Sequence, residues 1–408
     1  MDPENSNKFE ENISKSLVEH GPAVKAVTKI MALGIDQGAS DILIEPGPEG
    51  IRVRYRIDGI LYERLSLPVS FQEGIISRVK VMSGLDIAEH RLPQEGRFRM
   101  RFQGRDIDFR VSAVPTTLGE KIVLRILDKI KVILDINKLG FDERTLGLFK
   151  RNLTKPFGMI LVCGPTGSGK TTTLYSALNF INSIETNIVT VEDPIEYELS
   201  GINQVAVQDS IGLTFAAALR SILRQDPDIV LVGEIRDSET ADIAVKAALT
   251  GHLILTTLHT TSAPSAMVRL ADMGVEPFLI SSSCLLISSQ VLLRTVCTDC
   301  RQPYPLSQKI LDELKAENPS LNFDRASCLY KPKGCPKCNN TGYKGRAALS
   351  ETMEVTPGIK ELIVNGAPEA EIRRFAQKEG MVLLRENAAA LALKGLTTME
   401  EVVRVTSG

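Results

Sequence analysis

The stretch Gly164-Pro165-Thr166-Gly167-Ser168-Gly169-Lys170-Thr171 constrains this chain more than any other. It follows the apolar run Met159-Ile-Leu-Val-Cys163 and precedes a segment with helical character from Thr171. Glycines this close together weaken both strand and helix, so a tight loop is expected between the two. Such a loop turns its backbone N–H groups toward one point, where an anion sits at the start of the next helix. The pattern G-x-x-x-x-G-K-[ST], in its required strand-to-helix context, is that of a phosphate loop. Gly164 to Gly169, with Thr172, are expected to cradle phosphates; Lys170 is expected to bridge the β- and γ-phosphates, and Thr171 to hold Mg²⁺.

The surrounding pattern supports that context. From Leu146, apolar runs alternate with helical stretches: MILVC, NIVTV, DIVLVGE and HLILTTLH are strands, with helices at 213–225 and 238–250. Buried strands alternating with helices predict an α/β domain with a largely parallel sheet. Ligands bind at the carboxyl edge of such sheets. Glu234 stands at the end of one strand, and Glu192, Asp193 and Glu196 follow another. Two acidic groups at one edge permit a division of labour: Glu196 to orient water and Glu234 for the metal, or the reverse. His252 and His259 bracket LILTTL; His259 is expected to sense the γ-phosphate, while His252 is equally a structural residue. Arg220 and Arg224 share one face of a helix that reads as largely buried, lining the nucleotide site or a subunit interface, with a plain solvated face the weaker reading.

Residues 22–127 read differently: one helix, then short alternating segments with glycine turns, an α+β domain with an antiparallel or mixed sheet. Residues 1–21 are expected to be flexible, and 128–145 to be a linker. A hairpin centred near Thr117-Leu118 makes Arg110 and Arg125 cross-strand neighbours. Like charges opposite one another destabilise a sheet, unless an anion lies between them or local acids such as Asp106, Asp108 or Glu120 pair with them. A nucleotide phosphate from a neighbouring subunit or domain would serve.

Cys297-x-x-Cys300 and, 34 residues later, Cys335-x-x-Cys338 supply four thiolates in two chelating turns. That set suits structural zinc, with redox activity the weaker reading. Cys163 and Cys284 read as core residues, and Cys328 fits no pair. Residues 146–296 are expected to form the nucleotide-binding core, 297–346 the tetracysteine subdomain and 347–408 a helical C-terminal subdomain. The net charge of −2 argues against a chain-wide nucleic-acid footprint. FLISSSCLLISSQVLL, at 278–293, carries five serines and a glutamine and reads as buried helix, not a membrane span. The polar N-terminus has no signal-peptide pattern, so a cytoplasmic protein without disulfides is expected.

Together ASDILIEP reduced to its pattern, RLPQEGRFRMR, GRDIDFRVS, GPTGSGKTTTLYSAL, TVEDPIEY and the run from Phe215 to Thr260 resemble the secretion ATPases of type II secretion and type IV pilus assembly. The resemblance covers 22–407 and implies a RecA-like P-loop NTPase domain behind a smaller PAS-like one. It implies a Mg²⁺-dependent, hexameric ATP hydrolase at the cytoplasmic face of the inner membrane, working on a membrane platform protein. By resemblance Lys170 and Thr171 fall in Walker A, Glu192, Asp193 and Glu196 in an aspartate box, Glu234 in Walker B, and His252 and His259 in a histidine box. Arg110 and Arg125 match arginines reaching a nucleotide, and Arg220 and Arg224 match helix arginines near it. The tetracysteine segment is typical of the assembly branch rather than of retraction motors. A retraction or DNA-uptake motor, and a scaffold without turnover, are the alternatives. Leu43 replaces a frequent histidine, and Val291 a frequent arginine. Members usually carry a further N-terminal docking domain, whereas about twenty residues precede Pro22, so a shortened chain or another mode of recruitment is expected.

Overall fold

The computed structural model describes residues 21–128, 134–305 and 328–407. They form two compact units, one ending at Asp128 and one starting at Leu134. In the first, α1 (Pro22–Asp36) precedes β1 (Ala39–Gly47), β2 (Gly50–Ile57) and β3 (Ile60–Leu67). Helix α2 (Gln72–Ser83) leads to β4 (Gln94–Phe102), β5 (Arg105–Thr116) and β6 (Gly119–Asp128). The strands form one antiparallel sheet in the order β3-β2-β1-β6-β5-β4. Period-2 alternation selects its faces. Ile107, Phe109, Val111 and Ala113 turn inward with Ile42, Ile44, Ile122 and Leu124, and pack with Val27, Ile30 and Val79 of the two helices. The intervening residues put arginines on the other face.

The second unit starts earlier than expected. Ile136 is fully buried, and Leu134, Leu139 and Phe141 pack beside it, so the part of the expected linker from Leu134 onward contributes to this unit's core. Helix α3 (Glu143–Leu153), capped by Asp142, precedes β7 (Gly158–Cys163) and α4 (Lys170–Ile181). Next come β8 (Ile188–Glu192), β9 (Asn203–Ala206), α5 (Phe215–Ile222), β10 (Ile229–Val232), α6 (Ser238–Leu249) and β11 (Leu253–Leu258). Helices α7 (Ala263–Asp272) and α8 (Pro277–Ser283) lead into β12 (Cys284–Val296). The sheet order is β15-β12-β7-β11-β10-β8-β9, parallel throughout except for β15 (Tyr343–Glu354), which runs antiparallel to β12.

Both faces of this sheet are covered, which is why its strands read as unbroken apolar runs. On β7, Ile160 and Val162 face α3 and α4, while Met159, Leu161 and Cys163 face the layer containing α5 to α8. The same double burial explains one misreading. The run 278–293 was expected to be helix, yet after α8 it becomes β12, wedged between β7 and β15. A strand buried on both sides shows no alternation that separates it from a buried helix.

The C-terminus is helical as expected, though only after β15. A small ladder, β13 (Arg301–Pro305) with β14 (Cys328–Pro332), precedes it, and α9 (Pro357–Val364), α10 (Glu369–Lys378), α11 (Leu384–Leu393) and α12 (Met399–Thr406) follow. Thr398 caps α12 by accepting the Glu401 N–H. The Glu401 carboxylate goes elsewhere: it binds the Arg294 amide and the Arg294 and Arg404 guanidiniums, pinning α12 to β12.

Candidate active site

The loop after β7 takes the backbone shape its glycines permit. Gly164, Gly167 and Gly169 have φ of 141°, 79° and 88°. Gly169 is the N-cap of α4, so the helix's unpaired N–H groups open directly from the loop. Lys170 Nζ donates to the carbonyls of Gly164 (2.7 Å) and Pro165 (3.1 Å). Its ammonium thus rests on the loop's own acceptors. Burial lowers its pKa, partly offset by nearby Cys163 and Glu234. The Ser168 hydroxyl is buried without a hydrogen-bond partner, and Thr171 is exposed at the helix start. An enclosed ammonium, an unused hydroxyl and open N–H groups fit a phosphate chain.

Strands β8, β10 and β11 deliver their side chains to the same carboxyl edge. Glu234 accepts hydrogen bonds from Arg236 and from His259 Nε2, the latter at 3.0 Å. Burial alone would raise the Glu234 pKa; the Arg236 and His259 bonds reverse that and lower it. Arg236 also donates to Asp193 at 3.2 Å. A single guanidinium therefore ties the acidic segment after β8 to the one after β10. Its signal was its place two residues beyond Glu234, on the same side of an extended segment. Ile235, Arg236, Leu258, His259, Arg269 and Met273 line an adjoining cavity of about 400 Å³.

Other expected site residues lie apart from this cluster. The Glu192 carboxylate is buried and accepts from Tyr175, from Thr190 (2.6 Å) and from Gln204 (3.1 Å). The Tyr175 hydroxyl also accepts the Glu196 N–H at 3.4 Å, so Glu192 acts on Glu196 through α4 rather than facing the loop. Tyr175 and Gln204 escaped the sequence reading because their partner is internal. His252 precedes β11 and lies at the opposite edge from His259, about 23 Å away over seven residue steps. Within this chain its ring bonds the Ala247 carbonyl at 3.1 Å. Arg220 and Arg224 are exposed rather than buried: Arg220 pairs with Glu239 and Arg224 bonds the Ser221 hydroxyl. The α5 helix buries its other side.

In the first unit Arg110 and Arg125 are cross-strand partners, in the register the hairpin symmetry predicts. Arg97 flanks them on β4, and Asp41 and Arg56 continue the row. Arg125 Nε lies 3.0 Å from Asp41 and Arg56 Nε 3.4 Å from its other oxygen. The acid beside Arg125 is thus Asp41, distant in sequence; Asp108 bonds Arg99, and Glu120 is buried with Lys80.

The four cysteine sulfurs lie within 4.8 Å of one another. Cys297–Cys335, Cys300–Cys338 and Cys335–Cys338 are 3.9, 3.8 and 3.7 Å apart. Zn–S bonds of about 2.3 Å in a tetrahedron put sulfurs about 3.8 Å apart, so the set fits that ion. Burial would raise the Cys338 thiol; the amides of Cys335 and Gly342 reverse this, to about 7. The Cys328 side chain lies outside the described residues.

A family profile described as Type II/IV secretion system protein matches residues 16–404. The type IV pilus assembly ATPase PilB of Myxococcus xanthus is 49% identical over 97% of this chain and 70% of its own. The type II secretion system protein E of Dickeya dadantii is 48% identical over 95% of this chain and 76% of its own. Among solved structures, the Legionella pneumophila ATPase DotB matches the fold with a TM-score of 0.68 at 20% identity, covering 93% of this chain and 95% of its own. The pilus retraction motor PilT, solved with ADP, matches at 0.60 and 27%, covering 93% and 96%.

Proposed function

This chain belongs to the type II/IV secretion system protein family, and we propose that it is a Mg²⁺-dependent ATPase driving assembly of a type IV pilus or a type II secretion pseudopilus. The observation that carries this reading is the meeting of two features at one sheet edge. A glycine loop offers N–H groups and Lys170, and Glu234 stands beside it, held by His259 and Arg236. Gly164 to Lys170 and Thr172 grip the phosphates, and Thr171 with Glu234 holds Mg²⁺. Glu196, carried by the segment that Tyr175 and Glu192 fix, orients the attacking water. His259 lies where it can read the γ-phosphate through Glu234.

Arg110 and Arg125 supply positive charge to a nucleotide held by another copy, in a hexamer that acts on an inner-membrane platform protein. Among the described residues no helix is long and apolar enough to cross a membrane, so membrane contact is assigned to partners. Zinc held by Cys297, Cys300, Cys335 and Cys338 would brace the end of β12. The tetracysteine set favours assembly over retraction, as do relatives near 48–49% identity against 27% for the retraction motor.

Phosphate release with Mg²⁺ and ATP tests the reading. The wild type is expected to turn over, and Glu234→Gln to lose about a hundredfold or more. Equal, near-zero rates at high protein concentration would leave a nucleotide-binding scaffold instead. Unchanged turnover in assembled Arg110→Ala and Arg125→Ala would remove the arginines from the mechanism.

A further inference from the structure

Gln290 lies on β12, is 1% exposed, and belongs to none of the motifs above. Both ends of its carboxamide are committed to the phosphate loop and its helix. Nε2 donates to the Ser168 carbonyl at 2.7 Å, and Oε1 accepts from the Thr173 hydroxyl at 2.7 Å. Its backbone carbonyl presses on the start of the loop: a Cβ at Gly164 would lie 2.2 Å from it. A Cβ at Gly169 would lie 2.9 Å from Nε2. One residue thus touches the loop at its entry, near its exit, and on the first turn of α4.

The direction of one peptide follows. In a trans peptide the C=O and the next N–H point opposite ways. Holding the Ser168 carbonyl toward β12 therefore turns the Gly169 N–H away from β12, into the cradle. Lys170 holds the carbonyls of Gly164 and Pro165 only until it swings to a phosphate. The Gln290 grip does not have to break when a ligand enters. We propose that Gln290 is a positioning residue that fixes the phosphate loop in its binding shape before nucleotide arrives. The proposal rests on the loop being a nucleotide site.

The test is ADP affinity, measured with fluorescent ADP on the full chain, beside thermal unfolding without nucleotide. Gln290→Met keeps the length and removes both bonds; affinity is expected to fall about tenfold. Gln290→Glu supplies the conservative rescue. Protonated, its carboxyl donates to Ser168 and accepts from Thr173 as the amide does; ionised, it repels the Ser168 carbonyl. Burial raises its pKa, while Lys170 is the charged group of the loop it faces and opposes that rise. Affinity relative to wild type, whose profile carries the titration of the ADP phosphate itself, is expected to be close to one at about pH 6 and to fall by about pH 8. Should Gln290→Met not fold, Thr173→Val removes one bond and is expected to lower affinity severalfold. Folded Gln290→Met with wild-type affinity, or Gln290→Glu with no pH dependence beyond that of wild type, overturns the proposal. A folded wild type that binds no ADP would instead overturn the nucleotide site itself.

Discussion

Alanine at Gly164 and at Gly167 separates the two demands made on the phosphate loop. Gly167 has φ of 79°, and an added Cβ would meet nothing within 4 Å. Only the backbone penalty applies, about 1–2 kcal/mol, and reduced freedom in the unfolded chain offsets part of it. Gly164 has φ of 141°, and its Cβ would stand 2.2 Å from the Gln290 carbonyl and 2.8 Å from Ser168 Oγ. That carbonyl belongs to β12, which pairs with β15 at Gln290 itself and with β7 up to the preceding Ser289, so it does not yield cheaply. A strained backbone of about 1–3 kcal/mol adds to overpacking of about 1–3 kcal/mol. The backbone costs largely cancel, so nucleotide-free Gly164→Ala is expected to be about 1–3 kcal/mol less stable than Gly167→Ala. Denaturant unfolding monitored by circular dichroism without ligand reads the difference directly. Coincident transitions for the two variants would refute the reasoning, since they would mean that the loop does not lean on β12.

Two further expectations concern the C-terminal part of the second unit. Metal analysis is expected to find about one zinc per chain, falling well below that in Cys335→Ser; a wild type without metal would overturn the tetrahedral reading. Burial alone would raise the pKa of the fully buried Glu401, but Arg404 and Arg294 lower it from 4.5 to about 2. A depressed folded pKa stabilises above the unfolded value, so Glu401 contributes about 3 kcal/mol near neutrality, lost as pH falls from about 4.5 toward 2. The stability gap between wild type and Glu401→Gln should therefore narrow by half near about pH 3; a gap that does not change with pH would refute it.

What the sequence made legible was what the chain imposes on its near neighbours. The glycine loop between strand and helix was readable because few backbones accept those φ values. The Arg110–Arg125 pairing was readable because a two-strand hairpin has one symmetric register. The acid beside Arg125 was not, because Asp41 arrives from β1, far away along the chain. A strand-end carboxylate presents a further ambiguity. Glu192 and Glu234 both end strands, yet Glu192 turns in to Tyr175 while Glu234 turns out to His259. Alternation fixes that two residues face opposite sides; which side is the interior depends on the layers packed later. The two histidines were separable, since six residues of strand cannot bring both ends of LILTTL to one edge.

Gln290 belongs to the second kind of information. A buried glutamine in an apolar run gives no local sign of its partners, and the run itself was read as helix. Only the placement of β12 against β7 turns its carboxamide toward Ser168 and Thr173. The same strand continues to Arg294, which Glu401 clamps, and ends at Val296, next to Cys297. The loop and the tetracysteine cluster are therefore joined by one hydrogen-bonded strand of about seven residues, or roughly 23 Å. Along that stretch β12 is laddered to β15 alone, because its pairing with β7 ends at Ser289, and its register with β15 shifts between Arg294 and Val296. The connection between the cysteine cluster and the Ser168 carbonyl is therefore continuous but interrupted by that irregularity, and it is anchored at Arg294 by Glu401.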